Sequence, residues 1–347
     1  MKKYLSALFV LSIFFACNNH HNASKPKGYL SIHGQTMGTT YHAMYVDTLT
    51  RDFTLQADSI FEIINLSMST YIDTSLISRL NRDTNYTFIT IDKHFKSVYE
   101  KARDVYELSN GAFNPAVMPL VNYWGFAYED APNEVDSNLV DSLVKLVDFN
   151  AFILSNAVTE FDTLAIISKT NPLAQLDFSA IAKGYAVDQF GLFLESKHIF
   201  NYMVEIGGEV RTAGLYGDKK WSVGIEEPSN TPVSESKLFQ ILSLSNVSAA
   251  TSGNYRNQRK IAGKIYAHTI NPFSGYPELN EVLSATVISN DCTTADALAT
   301  ACMVLGRQKA LDMIKRIDST EVFLIIHESD GFKAVYTKGF EKYLEED

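Results

Sequence analysis

Leu176-Asp177-Phe178-Ser179-Ala180-Ile181-Ala182-Lys183-Gly184-Tyr185-Ala186-Val187-Asp188 joins the end of an apolar segment to the first turns of a helical pattern, and it sets two acids and one lysine among small residues. Asp177 closes the apolar segment and Ser179 has the chemistry of an N-cap. Ala180, Ala182 and Gly184 leave backbone groups within reach of anything lying over the turn. A lysine on that first turn would meet a diphosphate as a point charge. Two readings stay open from these residues alone: a phosphate-binding strand-to-helix junction, or an ordinary helix start with Lys183 in solvent. Outward from this stretch, alternation predicts strands in Tyr29 to Asp47, Trp221 to Ile225, Ala285 to Ser289 and Val322 to His327. Helical spacing predicts helices in Asp52 to Ser69, Phe95 to Ser109, Ala186 to Lys197 and Ala295 to Ile317. The two kinds mix without a regular βαβ repeat, so an α+β architecture is expected rather than a doubly wound sheet.

The first residues carry an export pattern: Lys2 and Lys3, an apolar run from Leu5 to Phe15, then Ala16 and Cys17. That run is too short to span a bilayer. A small residue followed by cysteine at its end resembles a bacterial lipobox, which implies a signal peptide over residues 1–16, cleavage before Cys17 and lipid on that cysteine. Several acyl chains together give stable attachment. Residues 17–28, with His20, His21 and Pro26, read as a solvated tether, leaving residues 29–347 as one body. This predicts a lipid-anchored, periplasm-facing location in a bacterial envelope, at the inner or outer membrane.

The formal net charge is -10, and removal of Lys2 and Lys3 makes it two units more negative, which argues against a nucleic-acid surface. Beyond Cys17 only Cys292 and Cys302 remain. On one helix their spacing puts them about 15 Å apart, outside disulfide reach. The acidic segment Asp130 to Asp148 reads as a surface helix with its loop, and Pro228 to Ser236 as a polar excursion between strands.

Downstream, Cys292-Thr293-Thr294-Ala295-Asp296-Ala297-Leu298-Ala299-Thr300 opens a helix with Thr293 or Thr294 as the expected cap. Asp296 and Thr300, at i and i+4, share one face. Such an oxygen pair suits Mg2+, although Asp296 could also simply favour the helix N-terminus while Thr300 bonds back to a carbonyl. Gly34 to Thr40, Gly111-Ala112-Phe113-Asn114-Pro115 and Glu205-Ile206-Gly207-Gly208-Glu209 have the composition of ligand loops and equally of turns. His268 precedes a further turn, Asn271-Pro272-Phe273-Ser274-Gly275.

Taken in order, Gln35-Thr36-Met37-Gly38-Thr39, Ser69-Thr70-Tyr71, Gly111 to Pro115, Trp124-Gly125-Phe126 and Asp177 to Asp188 closely resemble the ApbE family. So do Gly207-Gly208, Thr251-Ser252-Gly253-Asn254-Tyr255, His268 to Gly275 and Ala295 to Thr300, so that the resemblance runs from about Gly34 to Gly306. It implies a mixed body of largely antiparallel sheets and packed helices. It also implies an FAD:protein FMN transferase, an activity whose older name is thiamine biosynthesis lipoprotein. Members move FMN from FAD to a threonine or serine hydroxyl of an exported or membrane flavoprotein and release AMP. Acceptors of the kind implied are subunits of sodium-pumping NADH:quinone or ferredoxin-linked redox complexes.

Carried over by position, the resemblance implies that Met37, Tyr71, Ala112, Phe113, Asn114, Asp177, Lys183 and Ile270 line the FAD site. Ala180 through its carbonyl, Asp296 and Thr300 would hold Mg2+, while Lys183 and His268 would act on the diphosphate or the acceptor hydroxyl. Asn114 stands where an aspartate is common, so this loop keeps an acceptor and loses a charge. The same residues would serve a Mg2+-dependent FAD pyrophosphatase giving FMN and AMP. A lipoprotein that binds FAD without turnover is the remaining alternative.

Overall fold

The alternation beginning at Tyr29 becomes a hairpin. In the computed structural model, which describes residues 28–347 apart from 86–87, 159–162, 229–236, 256–257, 330 and 346–347, β1 (Tyr29–Thr36) pairs antiparallel with β2 (Thr39–Val46). Met37 at φ 49° and Gly38 at φ 73° make the two-residue loop, the positive-φ pair that matches the twist of the flanking strands. The export segment, Cys17, the tether up to residue 27 and residues 229–236 of the polar excursion lie outside the described residues.

The chain continues through α1 (Thr54–Met68), α2 (Leu76–Arg82), β3 (Ile89–Thr90), α3 (Lys93–Leu108), α4 (Met118–Tyr123), α5 (Ser137–Val144), β4 (Phe152–Val158), β5 (Thr163–Lys169) and α6 (Ala182–Ser196). Then come β6 (Tyr202–Ile206), β7 (Glu209–Ala213), β8 (Trp221–Glu226), β9 (Leu238–Leu244), β10 (Ser248–Gly253), β11 (Gln258–Ile261) and β12 (Lys264–Ala267). β13 (Val282–Ser289), α7 (Cys292–Ile314), β14 (Glu321–Glu328) and β15 (Gly331–Tyr336) complete it. Eight strands form one sheet in the order β1-β2-β6-β7-β10-β13-β14-β15, antiparallel at every junction. The fold is α+β with antiparallel sheets, as expected.

Helices α1, α6 and α7 cover one face of the sheet, with α3 packed on α1 and α7, and their apolar stripes meet Tyr41, Tyr45, Tyr202 and Val287 in the main core. On the other face the β8–β9 hairpin and the turn carrying Phe340 pack Ile225 and Leu242 against Ile288, Phe323 and Ile325. β13 is therefore buried on both sides: every residue of Val282–Ser289 except Leu283 is buried, including the polar Ser284, Thr286 and Ser289. A third cluster, around Leu120, Trp124, Val140 and Ile270, joins α4 and α5 to the β11–β12 hairpin. α5 buries only Val140, in keeping with a surface helix in the acidic segment. No described helix is long and apolar enough to cross a membrane.

Both helix starts differ from expectation. α6 begins at Ala182, after Ile181, and takes no side-chain cap from its own segment; Ser179 instead donates its hydroxyl to Asp177 at 2.8 Å. Asp291, not Thr293 or Thr294, caps α7 by accepting from the Thr294 N–H at 2.8 Å. Gly306, at φ 71°, interrupts α7. Cys292 and Cys302 lie on α7 as buried free thiols, and burial raises both pKa values, so neither is a reactive thiolate.

Candidate active site

Helices α6 and α7 complete one another's ends. The first N–H groups of a helix have no partner within it. Those of α6 find one in Asp296 on α7, whose Oδ2 accepts from Gly184 N–H at 3.0 Å. Those of α7 find one in Asp188 on α6, which accepts from Cys292 N–H at 3.0 Å and Thr293 N–H at 2.8 Å. The exchange needs the helices almost in backbone contact. A Cβ at Gly184 would come within 2.3 Å of the Cys292 carbonyl oxygen and 2.9 Å of the Asp296 Cβ, so only glycine serves there.

At the Asp296 end the chain opens into a cavity of about 790 Å³, within the range of a small-molecule site. Lys183, Glu209 and Asp296 form its floor. Glu209, on β7, is 3 % exposed and pairs with the Lys183 ammonium, while its Oε2 is buried with no hydrogen-bond partner among the described residues. Burial pushes the Glu209 carboxyl up to about 8; Lys183 opposes that and Asp296 adds to it. Burial also raises Asp296, against Lys183 and the Gly184 N–H. Burial works to lower the Lys183 ammonium, but Glu209 and Asp296 outweigh it and hold it above the usual lysine range. Two buried acids thus feel one partly exposed lysine, which pairs directly with Glu209. Beside them Thr300 and Ser252 exchange a hydroxyl hydrogen bond at 3.2 Å.

The walls gather most of the residues singled out in the sequence. Tyr71, Ala112, Phe113, Asn114, Asp177, Ala180, His268 and Ile270 all line the cavity with Lys183, Asp296 and Thr300. Met37 does not. It occupies the hairpin turn and packs, partly buried, on the core, while Thr39 and Thr40 reach the cavity in its place. Asp177 accepts from the Ser179 N–H and hydroxyl, each at 2.8 Å, which lowers its pKa against a larger upward push from burial. Tyr71 stands at the rim, 67 % exposed, with its hydroxyl donating to the Phe126 carbonyl at 3.3 Å.

Asn114 uses its Oδ1 to accept from Ala116 N–H at 2.9 Å and its Nδ2 to donate to Val147 carbonyl at 3.4 Å. Both ends of the amide are engaged locally, so the loop keeps its shape without the charge of an aspartate.

Arg259 was not legible beforehand. It lines the cavity from β11, donating to Gly125 carbonyl at 3.0 Å with its guanidinium 5.5 Å from the Phe126 ring centroid. Nothing in the polar sequence around it distinguishes it from a surface arginine. Glu209 had a faint signal, since Gly207 and Gly208 ahead of it form the tight β6–β7 turn with φ 59° and 103°.

The ApbE family profile matches residues 37–324. The chain belongs to the ApbE family. An FAD:protein FMN transferase of Vibrio cholerae is 35% identical, with 99% of each chain aligned, and one of Haemophilus influenzae is 35% identical over the same shares. Among solved structures, the flavin transferase ApbE of Vibrio cholerae superposes with a TM-score of 0.80 at 33% identity, covering 91% of this chain and 99% of that one. The apo flavinyl transferase ApbE of Pseudomonas stutzeri gives 0.77 at 28% identity, over 90% and 96%.

For this ApbE chain the floor residues fit a hard divalent cation. Among the groups that line the cavity, the Asp296 carboxylate, the Thr300 hydroxyl and the Ala180 backbone carbonyl offer oxygen donors. Glu209 Oε2 is buried without a hydrogen-bond donor among the described residues. Among the described residues no three His, Cys, Asp or Glu side chains converge to cage a metal. That sparse set suits Mg2+, which keeps water or substrate phosphate in its remaining positions.

Proposed function

We propose that this chain is a Mg2+-dependent FAD:protein FMN transferase that esterifies a threonine or serine hydroxyl of an exported or membrane flavoprotein. The observation that carries the reading is the floor of the cavity: Lys183, Asp296 and Thr300 gathered at the α6–α7 junction inside a space of about 790 Å³, in a chain of the ApbE family. In the reaction the acceptor oxygen bonds to the FMN phosphorus, the bond from that phosphorus to the bridging oxygen breaks, and AMP leaves carrying that oxygen. The hydroxyl proton passes to a base. Diphosphate cleavage asks mainly for positioning and charge neutralisation.

Lys183 places a fixed positive charge at the floor. Asp296, Thr300 and the Ala180 carbonyl would hold Mg2+, which when bound would neutralise charge on the non-bridging oxygens. Asp177 would accept hydrogen bonds from ribose or adenine, and Tyr71 and Phe113 offer faces for stacking. His268, on the cavity wall and 6.3 Å from the Phe126 ring, would orient the diphosphate or take the acceptor proton. Replacing His268 by Ala should lower the transfer rate and flatten its pH profile; an unchanged rate across pH removes it from the chemistry.

The test incubates protein lacking residues 1–17 with FAD, Mg2+ and an exported flavoprotein domain bearing an acceptor threonine, reading AMP release and acceptor mass together. AMP with an FMN-sized mass gain is the expected result. AMP and free FMN with an unmodified acceptor would mean hydrolysis, and bound intact FAD would mean a binding protein. Lipid on Cys17 and a periplasm-facing location belong to the same proposal, supported by the Lys2 to Cys17 pattern. Labelled palmitate should enter the full chain and not its Cys17→Ser variant.

A further inference from the structure

We propose that the outer edge of β8 is the docking strand for the acceptor polypeptide, which adds to it as an extended segment and so presents its hydroxyl to the cavity. This rests on the transferase reading above and concerns a wall of the site which that reading leaves idle.

The flavin, diphosphate and metal assignments use only part of the cavity lining. The remainder includes Thr39, Thr40, Gly207, Gly208, Gly224 and Ile225. Half of these are glycines, so much of this wall is bare main chain, which a second main chain can approach closely. Gly207 and Gly208 make the β6–β7 turn, and Gly224 lies in the middle of β8.

The register of β8 shows which way its main chain points. In an antiparallel pair, residues alternate between those that bond across the pair and those whose N–H and C=O point away from it. Ile241 on β9 accepts at its carbonyl from the Glu345 N–H at 3.0 Å, beside the bridge between Leu242 and Leu344 and on the side away from β8. Ile241 stands opposite Gly224, and Ser243 opposite Ser222, in one unbroken stretch of register. The main-chain groups of Gly224 and Ser222 therefore point to the outer side of β8. Both residues are exposed. Among the described residues no strand pairs with that side, and no hydrogen bond reaches those groups.

An exposed strand edge is a template for another strand, and proteins commonly blunt one with a charge or a proline. Neither stands between Trp221 and Ile225. Continuity with the cavity selects the occupant. Gly224 and Ile225 belong to the wall of the space in which the diphosphate is cleaved, so a strand laid on this edge runs into the reaction site. Its alternate side chains face one way, which lets main-chain bonds hold the segment while one hydroxyl turns to the phosphorus. The transferase reaction needs a guest of that kind, a hydroxyl carried on a polypeptide.

The test uses the full chain in mild detergent with FAD, Mg2+ and an exported flavoprotein domain bearing an acceptor threonine. Gly224→Pro deletes the outward N–H and no bond of the β8–β9 ladder, a placement that an edge strand tolerates. Its kcat/KM for the domain should fall roughly tenfold or more, while the FAD dissociation constant stays within about twofold of wild type. Gly224→Ala keeps the N–H and adds the same Cβ, 2.6 Å from the movable end of Leu238, and should leave kcat/KM within about twofold of wild type. In the unaltered protein, the same domain with its threonine changed to valine should slow amide exchange at Ser222 and Gly224 by roughly tenfold or more.

If wild type flavinylates the domain and neither amide is protected by it, the proposal is overturned. An equal loss in Gly224→Ala and Gly224→Pro overturns it as well. Exchange that slows with protein concentration alone would give the edge to a second copy of this chain, against the proposal. A wild type that never modifies the domain would instead overturn the transferase reading on which the proposal rests.

Discussion

Asp188 and Asp296 do the same structural job at opposite ends of the α6–α7 contact, and their surroundings differ in one respect. Asp188 is saturated: Cys292 N–H, Thr293 N–H, the Thr293 hydroxyl at 2.6 Å and the Arg211 guanidinium at 2.8 Å use both of its oxygens. Arg211 is itself anchored to Tyr202 at 2.9 Å and Glu195 at 3.1 Å. Asp296 takes one backbone donor and stands near a lysine that pairs with a second acid, one oxygen of which has no partner among the described residues. The first end is complete as built, and the second leaves a buried acceptor unmet among the described residues. A buried carboxylate is therefore no guide to function by itself; what separates the two is whether its partners balance.

The contrast can be broken at the saturated end first. Asp188→Ala should cost about 3–5 kcal/mol, because it takes from Arg211 its closest acid and leaves the Cys292 and Thr293 N–H groups at the start of α7 without their acceptor. Urea unfolding reads this directly, and a loss below about 1 kcal/mol would show that Asp188 is not the structural half of the pair. At the other end, Asp296→Asn should leave the unfolding midpoint near that of wild type while Mg2+-dependent turnover falls by roughly a hundredfold or more. Wild-type turnover in that variant would take Asp296 out of the metal site.

The smallest effect is in pH. Glu209 is raised from 4.5 to about 8 in the fold, so its contribution to stability is fully present at acid pH and is lost as pH rises through about 8. Asp296 is raised in the same direction. Without metal the melting temperature should fall across that window, less steeply for Glu209→Gln than for wild type. Equal slopes would place the titrating group elsewhere.

The sequence was most readable where one side chain has one local reason. The strand alternation in β1 and β2, the helical spacing of α1 and α3, and the i, i+4 relation of Asp296 and Thr300 all follow from nearest neighbours. It was least readable where the partner is distant. Asp177 to Asp188 shows two acids and a lysine, yet nothing local says that Asp188 goes to a helix end and Lys183 to a cavity. Ser179 looked like a cap because the true donor–acceptor pair, Gly184 with Asp296, spans 112 residues. The family resemblance offered Met37 as a flavin contact; in the fold it makes the β1–β2 turn, next to the cavity-lining Thr39. Arg259 had no local mark at all.

The reciprocal caps also fix when the site can exist. Gly184 meets Asp296 across 112 residues and Asp188 meets Cys292 across 104. Contacts of such sequence separation form late, because the loop between them must close first. While the chain is being made, α6 emerges with its leading amides unmatched and its lysine without the Asp296 carboxylate. No fragment ending before α7 can hold this floor together, so the flavin pocket is a property of the finished polypeptide, acquired in the closing step of folding.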